Sequence, residues 1–439
     1  MNRRELLKNS AKMMFFASTL AMGASTQDPK TSLPSTKKKR QNPHIVVVGG
    51  GWSGLAFAKH IKQYVPHAEV TLVEKRDAFL SCPVSNAWMF DLVDMDFLSH
   101  SYIDAANTHG YTYFQAEATG LRSKENVLET TQGELDYDYL VFATGIEYDY
   151  HQWCKEDEAL EARLRSEYPA AFIAGSEHLT LKRKIKAFKG GNFVITVPSG
   201  NYRCLPAPYE RACLLADHIK QNKIDGKVIV IDANNTVTIK EDGFLSVFKE
   251  LYKDELVYMS GSQIENIDLD KKIFETEFDE ISFEDASFYP NVRAPKLLEK
   301  LGPTMQTPYN RVEANLDVYT NRFKGHTNIF GCGDIRPMGF SKSGNTAFTE
   351  GVNVAKFIAD DIAKKKIKWV SPTTFCVSIV SMQPQREMTL LSEYVYGSKG
   401  ETQFHSTVSD EAWKTNGLGE AKAQFSWASS MYDRMFYAT

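Results

Sequence analysis

The 439-residue sequence has no CxxC pair, no CxxCH and no marked excess of either charge. Without CxxCH the chain has no attachment site for a c-type haem of its own, and without CxxC a redox pair has to be assembled from distant cysteines. Its N-terminal apolar stretch, about residues 13–24, is shorter than the roughly 20 residues that span a bilayer, which argues against a permanent anchor. Lys and Arg number 51 against 55 Asp and Glu, a net charge of −4, so the basic excess of a nucleic-acid binder is missing. Cysteine is scarce, with six in the chain. At roughly 150 residues per domain the length predicts two to three domains, each able to bury a core without disulfides. A hydrophobic share of 43% with 24% charged residues excludes disorder, collagen and a multi-span membrane protein. No metal site is assigned.

Residues 1–25 contain Arg3-Arg4, then a short apolar stretch and small residues. This pattern predicts a twin-arginine export signal and a periplasmic protein with no transmembrane anchor after processing. That route carries folded proteins, which hints at a cofactor inserted before export. Residues 26–42, rich in Lys, Ser, Thr and Pro, predict a flexible linker.

His44-Ile-Val-Val-Val48 reads as a strand buried on both faces of a parallel sheet. It runs into Gly49-Gly-Gly51-Trp52-Ser53-Gly54 and an amphipathic helix. Gly49 suits the tight turn, Gly51 the approach of a pyrophosphate and Gly54 the packing of helix on strand, while the helix N-terminus offers free N–H groups. Glu74, closing the strand Glu69–Glu74, stands where an acid bonds ribose hydroxyls. Further on, Leu140-Val-Phe-Ala143-Thr144-Gly145 ends in the turn seen in flavoproteins with two dinucleotide domains. Thr327-Asn-Ile-Phe-Gly-Cys-Gly333-Asp334 resembles the second FAD signature, whose Asp holds the ribityl chain. FAD is therefore the expected dinucleotide. Gly339-Phe-Ser-Lys342-Ser343-Gly344-Asn-Thr346 opens a helix to about Ile362, whose positive end would stabilise a reduced flavin.

A second βαβ unit follows, from Asn192–Val197 through a helix to Lys227–Asp232. Its loop, Pro198 to Pro208, carries three prolines with Tyr202 and Arg203 in place of a glycine fingerprint. No nicotinamide nucleotide is expected there, and the residue the loop offers is Cys204.

Six cysteines in an exported chain allow three structural disulfides. Cys154, assigned to a polar loop, Cys213 on a helix and Cys332 within the FAD signature show no sign of reactivity. Cys82, Cys204 and Cys376 each sit beside proline or a polar turn. Cys82 with Ser85-Asn86, Tyr202-Arg-Cys204-Leu-Pro-Ala-Pro-Tyr-Glu-Arg211, Lys342-Ser-Gly344 and Cys376 in an aromatic-rich C-terminal segment together resemble the flavin-binding subunit of flavocytochrome c sulfide dehydrogenase. The resemblance covers nearly the full exported length. It implies FAD held covalently through Cys82, a catalytic redox disulfide between Cys204 and Cys376, sulfide as substrate, and a separate c-type cytochrome subunit forming a heterodimer. Hydrosulfide would open the disulfide to a persulfide and a thiolate, and sulfur would leave as a zero-valent or polysulfide species.

The expected architecture is α/β: two Rossmann-like domains, the FAD domain split over 43–187 and 294–368 around a second over 188–293 that lacks an NAD site, and a small α+β C-terminal domain over 369–439. Its aromatics, including Trp413, Phe425, Trp427 and Tyr432, suit a core or subunit interface better than a haem-facing surface. Lys342 is either near the flavin or solvated. Glu210-Arg211 fit an orienting role better than an acid/base pair. The main competing reading is a sulfide:quinone oxidoreductase, which would want an amphipathic C-terminus. Lys414, Glu420, Lys422, Asp433 and Arg434 interrupt any such face. Outside these stands a flavoprotein that acts on another thiol or sulfur compound, or that binds a partner without sulfide turnover.

Overall fold

A computed structural model describes residues 41–302, 304–308, 310–337, 340–396, 402–409, 412–415 and 422–438. The twin-arginine segment and nearly all of the linker lie outside the described residues. The first unit is built on β1 (His44–Val48), α1 (Trp52–Tyr64), β2 (Glu69–Glu74), β3 (Thr112–Gln115) and β4 (Tyr139–Phe142). The second comprises β5 (Gly190–Val197), α2 (Ala207–Gln221), β6 (Asp225–Asp232), α3 (Glu241–Leu251), β7 (Leu256–Met259) and β8 (Asp285–Ser287). The chain then returns through β9 (Ile329–Gly331) and α4 (Gly344–Ile362). It ends in β10 (Thr373–Met382), β11 (Gln385–Tyr396), β12 (Thr402–Ser409) and α5 (Ala423–Phe436).

The first sheet is five-stranded in the order β9-β4-β1-β2-β3, and every pairing is parallel. The second has four strands, β7-β6-β5-β8, again all parallel. A three-stranded antiparallel sheet, β10-β11-β12, forms the C-terminal part. Strand β9, from beyond the second unit, completes the first sheet by pairing with β4. The FAD-signature strand is shorter than the sequence pattern suggests: β9 stops at Gly331 and a 3-10 turn, Gly333–Ile335, carries Asp334.

Register explains where a ligand fits. Val48 pairs with Val73 on one side and Phe142 on the other, and Gly331 pairs with Phe142, so the four strands end along one edge. Open parallel sheets bind ligands outside that carboxyl edge. At this edge Gly49 turns with φ +104, and a Cβ there would lie 2.5 Å from the Ala143 carbonyl oxygen. A Cβ on Gly54 would lie 1.8 Å from the Gly49 carbonyl oxygen, which fixes how closely α1 sits on its strand. The α5 residues Ala428, Met431, Tyr432, Met435 and Phe436 are buried in the same core, so most of the C-terminal aromatics have an inward role.

Cys154 departs from the loop expected of it. It closes the short helix His151–Cys154 and is buried, because a four-residue helix leaves no periodicity to read.

Gly54→Ala is expected to lower stability by about 1–3 kcal/mol through overpacking of α1 against the turn. Thermal or denaturant unfolding measures this against Gly175→Ala, where an added Cβ meets nothing within 4 Å and stability should hold.

Candidate functional site

The carboxyl edge of the first sheet opens into a cavity of about 430 Å³, inside the range of small-molecule and cofactor sites. Every predicted cofactor-binding residue lines it except Gly54 and Gly333, and Cys204 lines it too. Gly54 serves the packing described above. Gly333 donates its N–H to the Glu350 carboxylate at 2.5 Å, which anchors the turn bearing Asp334.

Each part of the wall has a local cause. The first turn of α1 holds no acidic residue and no side chain caps it, so its N–H groups point into the cavity uncompensated. A Cβ on Gly51 would meet nothing within 4 Å, which leaves room for a phosphate. Glu74 accepts from the Gly50 N–H at 2.7 Å and from Arg76 Nε at 3.0 Å. Burial alone would raise its carboxyl, but the Arg76 hydrogen bond and charge and the Gly50 N–H bring it below its ordinary value. Opposite, Ser343 caps α4 through the Thr346 N–H, and the first turn of that helix is also free of acids.

Three polar side-chain atoms of cavity-lining residues are buried without a partner: Trp52 Nε1, Thr144 Oγ1 and Asp334 Oδ1. Two donor-capable groups and one carboxylate oxygen, set around an open helix N-terminus, match the amide, hydroxyl and phosphate chemistry of a flavin dinucleotide. The residues present therefore fit FAD.

Lys342 corrects the solvated reading. It is 2% exposed, and its ammonium donates to the Asp334 and Arg336 carbonyls at 2.8 and 2.7 Å, with Glu313 at 3.5 Å. Burial lowers its ammonium from the ordinary value. Its backbone has a second task, because the Cys204 N–H donates to the Lys342 carbonyl at 2.8 Å and ties the cysteine loop to the first unit.

Arg203, read from sequence only as bulk that blocks a nucleotide, turns out to be a partner of Asp334. Its Nε is 2.6 Å from Asp334 Oδ2, and a second nitrogen donates to the Phe172 carbonyl at 2.8 Å. The same carbonyl lies 3.4 Å from Cys82 Sγ. Burial pushes the Cys82 thiol up, while the Arg203 charge opposes this. Cys82 precedes Val84, whose φ of 70° is rare for a β-branched residue.

Glu210 and Arg211 tie together segments from several parts of the chain. Glu210 accepts from Asn86 Nδ2 and the Ile379 N–H, both at 2.8 Å, and from Gln424 Nε2 at 2.8 Å. Arg211 donates to Asn86 Oδ1, Ser287 Oγ and the carbonyls of Ala170 and Ala171.

Cys204 has φ +57 and hydrogen-bonds through its thiol to Cys376 on β10. That hydrogen bond, first of several influences, holds the Cys376 thiol below its ordinary value, while Cys204 is held above. Lys240, which the sequence did not single out, donates to the Cys376 carbonyl at 3.2 Å. Cys154, Cys213 and Cys332 are buried away from these, and burial raises each thiol.

Residues 178–287 match the family of the central part of the sulfide dehydrogenase [flavocytochrome c] flavoprotein chain, and residues 25–163 match the pyridine nucleotide-disulphide oxidoreductase family. A sulfide-quinone reductase of Aquifex aeolicus is 23% identical over 352 residues, 74% of this chain and 78% of the relative. A sulfide dehydrogenase [flavocytochrome c] flavoprotein chain of Chlorobaculum thiosulfatiphilum is 51% identical over 43 residues, 10% of this chain and 90% of the relative. The crystal structure of the Aquifex aeolicus sulfide:quinone oxidoreductase superposes with a TM-score of 0.69 at 18% identity, covering 90% of this chain and 91% of that one.

Removing Arg203 leaves the Asp334 carboxylate buried without its ion-pair partner, whereas Arg203, whose side chain is 21% exposed, keeps its bond to the Phe172 carbonyl when Asp334 is removed. Arg203→Met should therefore cost about 3–5 kcal/mol and Asp334→Leu less, with the double variant below the sum of the two, in denaturant unfolding.

Proposed function

We propose, from the premise that the chain belongs to the pyridine nucleotide-disulphide oxidoreductase family and carries the central domain of sulfide dehydrogenase flavoprotein chains, that it oxidises sulfide through a Cys204–Cys376 disulfide beside FAD. The observation that carries this is that Cys204, at the wall of a cavity otherwise lined by dinucleotide-binding turns, meets Cys376, 172 residues further along the chain, behind it. Hydrosulfide attacks one sulfur of the disulfide; an S–S bond forms as another breaks, leaving a persulfide on one cysteine and a thiolate on the other. Bound FAD supplies a two-electron acceptor that passes electrons on singly or in pairs. The chain's own contribution is positional. Asp334 and Thr144 offer polar atoms to the cofactor, the N-termini of α1 and α4 face its negative charges, and the Lys342 backbone fixes the Cys204 loop. Cys82, on the cavity wall, is the residue proposed to carry FAD as a thioether. Export by the twin-arginine route, on the strength of Arg3-Arg4, belongs to the same reading.

Nicotinamide is not proposed as donor. Tyr202 is fully buried in the loop where a pyrophosphate would lie. Asp232, at the end of β6 where an acid would hold a ribose, accepts instead from the Tyr209 and Tyr258 hydroxyls at 2.6 and 2.8 Å.

Quinone is the acceptor with the wider support, since the relatives that align over three quarters of the chain are named for it. This reverses the order of the two acceptors given by the sequence. A c-type cytochrome subunit is the second reading. It is favoured by the central-domain match, the 51% segment and the inward-facing apolar side of α5.

Anaerobic titration with sulfide should bleach the flavin of the purified protein, and subsequent addition of a quinone analogue or a c-type cytochrome identifies the acceptor by which one restores the colour. Cys204→Ser and Cys376→Ser should each lose sulfide-dependent bleaching; full retention in either would remove the disulfide from the reaction. The yellow colour should survive acid precipitation and travel with a Cys82 peptide carrying the flavin mass.

A further inference from the structure

The Cys204–Cys376 pair is flanked on its Cys376 side by a buried lysine that no part of the cofactor site requires. Lys240 is 3% exposed and immediately precedes α3 in the second unit. Its φ of +55 is a left-handed conformation that a non-glycine residue adopts only when its surroundings hold it there. The ammonium donates to the Cys376 carbonyl at 3.2 Å, to Ser378 Oγ at 3.0 Å and to the Met388 carbonyl at 3.0 Å. Cys376 and Ser378 are two residues apart on β10, so both side chains project from one face of the sheet. Ser378 is paired with Met388 across the β10–β11 ladder. One ammonium thus grips both strands at the point where Cys376 emerges. Ser378, having accepted a hydrogen bond from Lys240, keeps its own proton to donate toward the Cys376 sulfur.

We propose that Lys240, acting with Ser378, is a positioning residue that favours Cys376 as the sulfur that leaves with negative charge when the disulfide opens. This rests on the disulfide reading above and adds a direction to it. HS⁻ forms a bond to the Cys204 sulfur as the Cys204–Cys376 bond breaks. The electron pair of that bond departs on Cys376, and Cys204 becomes the persulfide. The incoming anion's charge ends on the Cys376 thiolate, so the step balances with no proton or further electron. Placement agrees with this direction, since Cys204 lines the cavity and Cys376 is not among the lining residues. So do the opposite tendencies of the two thiols. Cys376 is held down first by the Cys204 hydrogen bond and then by the Lys240 charge and Ser378, against burial, while Cys204 is held up. Two carboxyls face the same ammonium, Glu210 of α2 and Glu387 of β11, and burial raises both above their ordinary values.

The test is the pH profile of alkylation in the holoprotein, reduced anaerobically with a phosphine and labelled with iodoacetamide between about pH 5 and about pH 10, since the thiolate is the nucleophile. Mass spectrometry of the Cys376 and Cys204 peptides reads each thiol separately. In the parent protein Cys376 should react at lower pH than Cys204. Lys240→Met should move the Cys376 midpoint up by about one unit, making labelling about tenfold slower below it, and Lys240→Arg should restore most of the loss. An unchanged Cys376 profile in Lys240→Met overturns the inference, as does Lys240→Arg behaving like Lys240→Met, which would mean packing rather than charge. Should Lys240→Met fail to fold, Ser378→Ala serves in its place, with a smaller upward shift expected and no shift counting against. Failure of the disulfide reading has a separate signature: Cys204→Ser would still bleach with sulfide while the Cys376 profile stayed dependent on Lys240.

Discussion

Arg211 is a fully buried guanidinium whose donors go to an amide, a hydroxyl and two backbone carbonyls. Through Asn86 it meets Glu210, and between them the two residues reach the short helix after Cys82, the 170–171 turn, β8, β10 and α5. The guanidinium also lies 4.1 Å over the Phe172 ring, whose carbonyl serves both Cys82 and Arg203. Cys82, Cys204 and Cys376 come from three distant stretches of chain, and this network is what brings those stretches to one place. A buried network of this kind is costly unless every member is satisfied. Loosening any member would therefore be felt at all three cysteines together.

Backbone conformation adds a second constraint of the same kind. Val84, Cys204 and Lys240 all have φ between 55° and 70°. Each conformation of this sort costs about 1–3 kcal/mol and persists only where the surroundings over-determine it. The Cys204 turn is held by its N–H bond to Lys342 and by the Tyr289 hydroxyl on the Arg203 carbonyl. The Lys240 turn is held by three hydrogen bonds from its own ammonium. Strain and its restraints coincide at the cysteine-bearing segments, which sets the sulfur positions more tightly than a flexible loop would.

How legible this was depended on distance along the chain. The glycine turn, α1 and Glu74 could be read directly, because strand, turn, helix and acid follow one another within about thirty residues and each has its own local requirement. Asp334 was singled out by the resemblance of its strand and turn to the second FAD signature. The pairing of Cys204 with Cys376 came only from resemblance, since no spacing rule joins residues that far apart. Arg203 was read as an obstacle because its partner, Asp334, is 131 residues away. Lys240 gave no signal at all: a lysine before a helix looks solvated, and only the folding of β10 and β11 over it buries the ammonium. Cys154 was misplaced by the opposite failing, a helix too short to show a period.

The second unit shows how a nucleotide-binding frame is kept while its ligand groups are put to other uses. β5, α2 and β6 repeat the arrangement of β1, α1 and β2, and Asp232 ends β6 as Glu74 ends β2. The two acids have opposite surroundings. Glu74 is held below its ordinary range by a guanidinium and a backbone N–H at the cavity wall. Asp232 is raised by burial, and two phenols and Asn234 occupy its oxygens. A ribose arriving at Asp232 would have to displace those donors, one of which, Tyr209, sits on α2 next to Glu210. The helix that would have cradled a second pyrophosphate instead carries Glu210 and Arg211, and the loop before it carries Cys204. The frame whose first copy ends in the glycine turn of the cavity thus carries, in its second copy, the Cys204 thiol at the cavity wall.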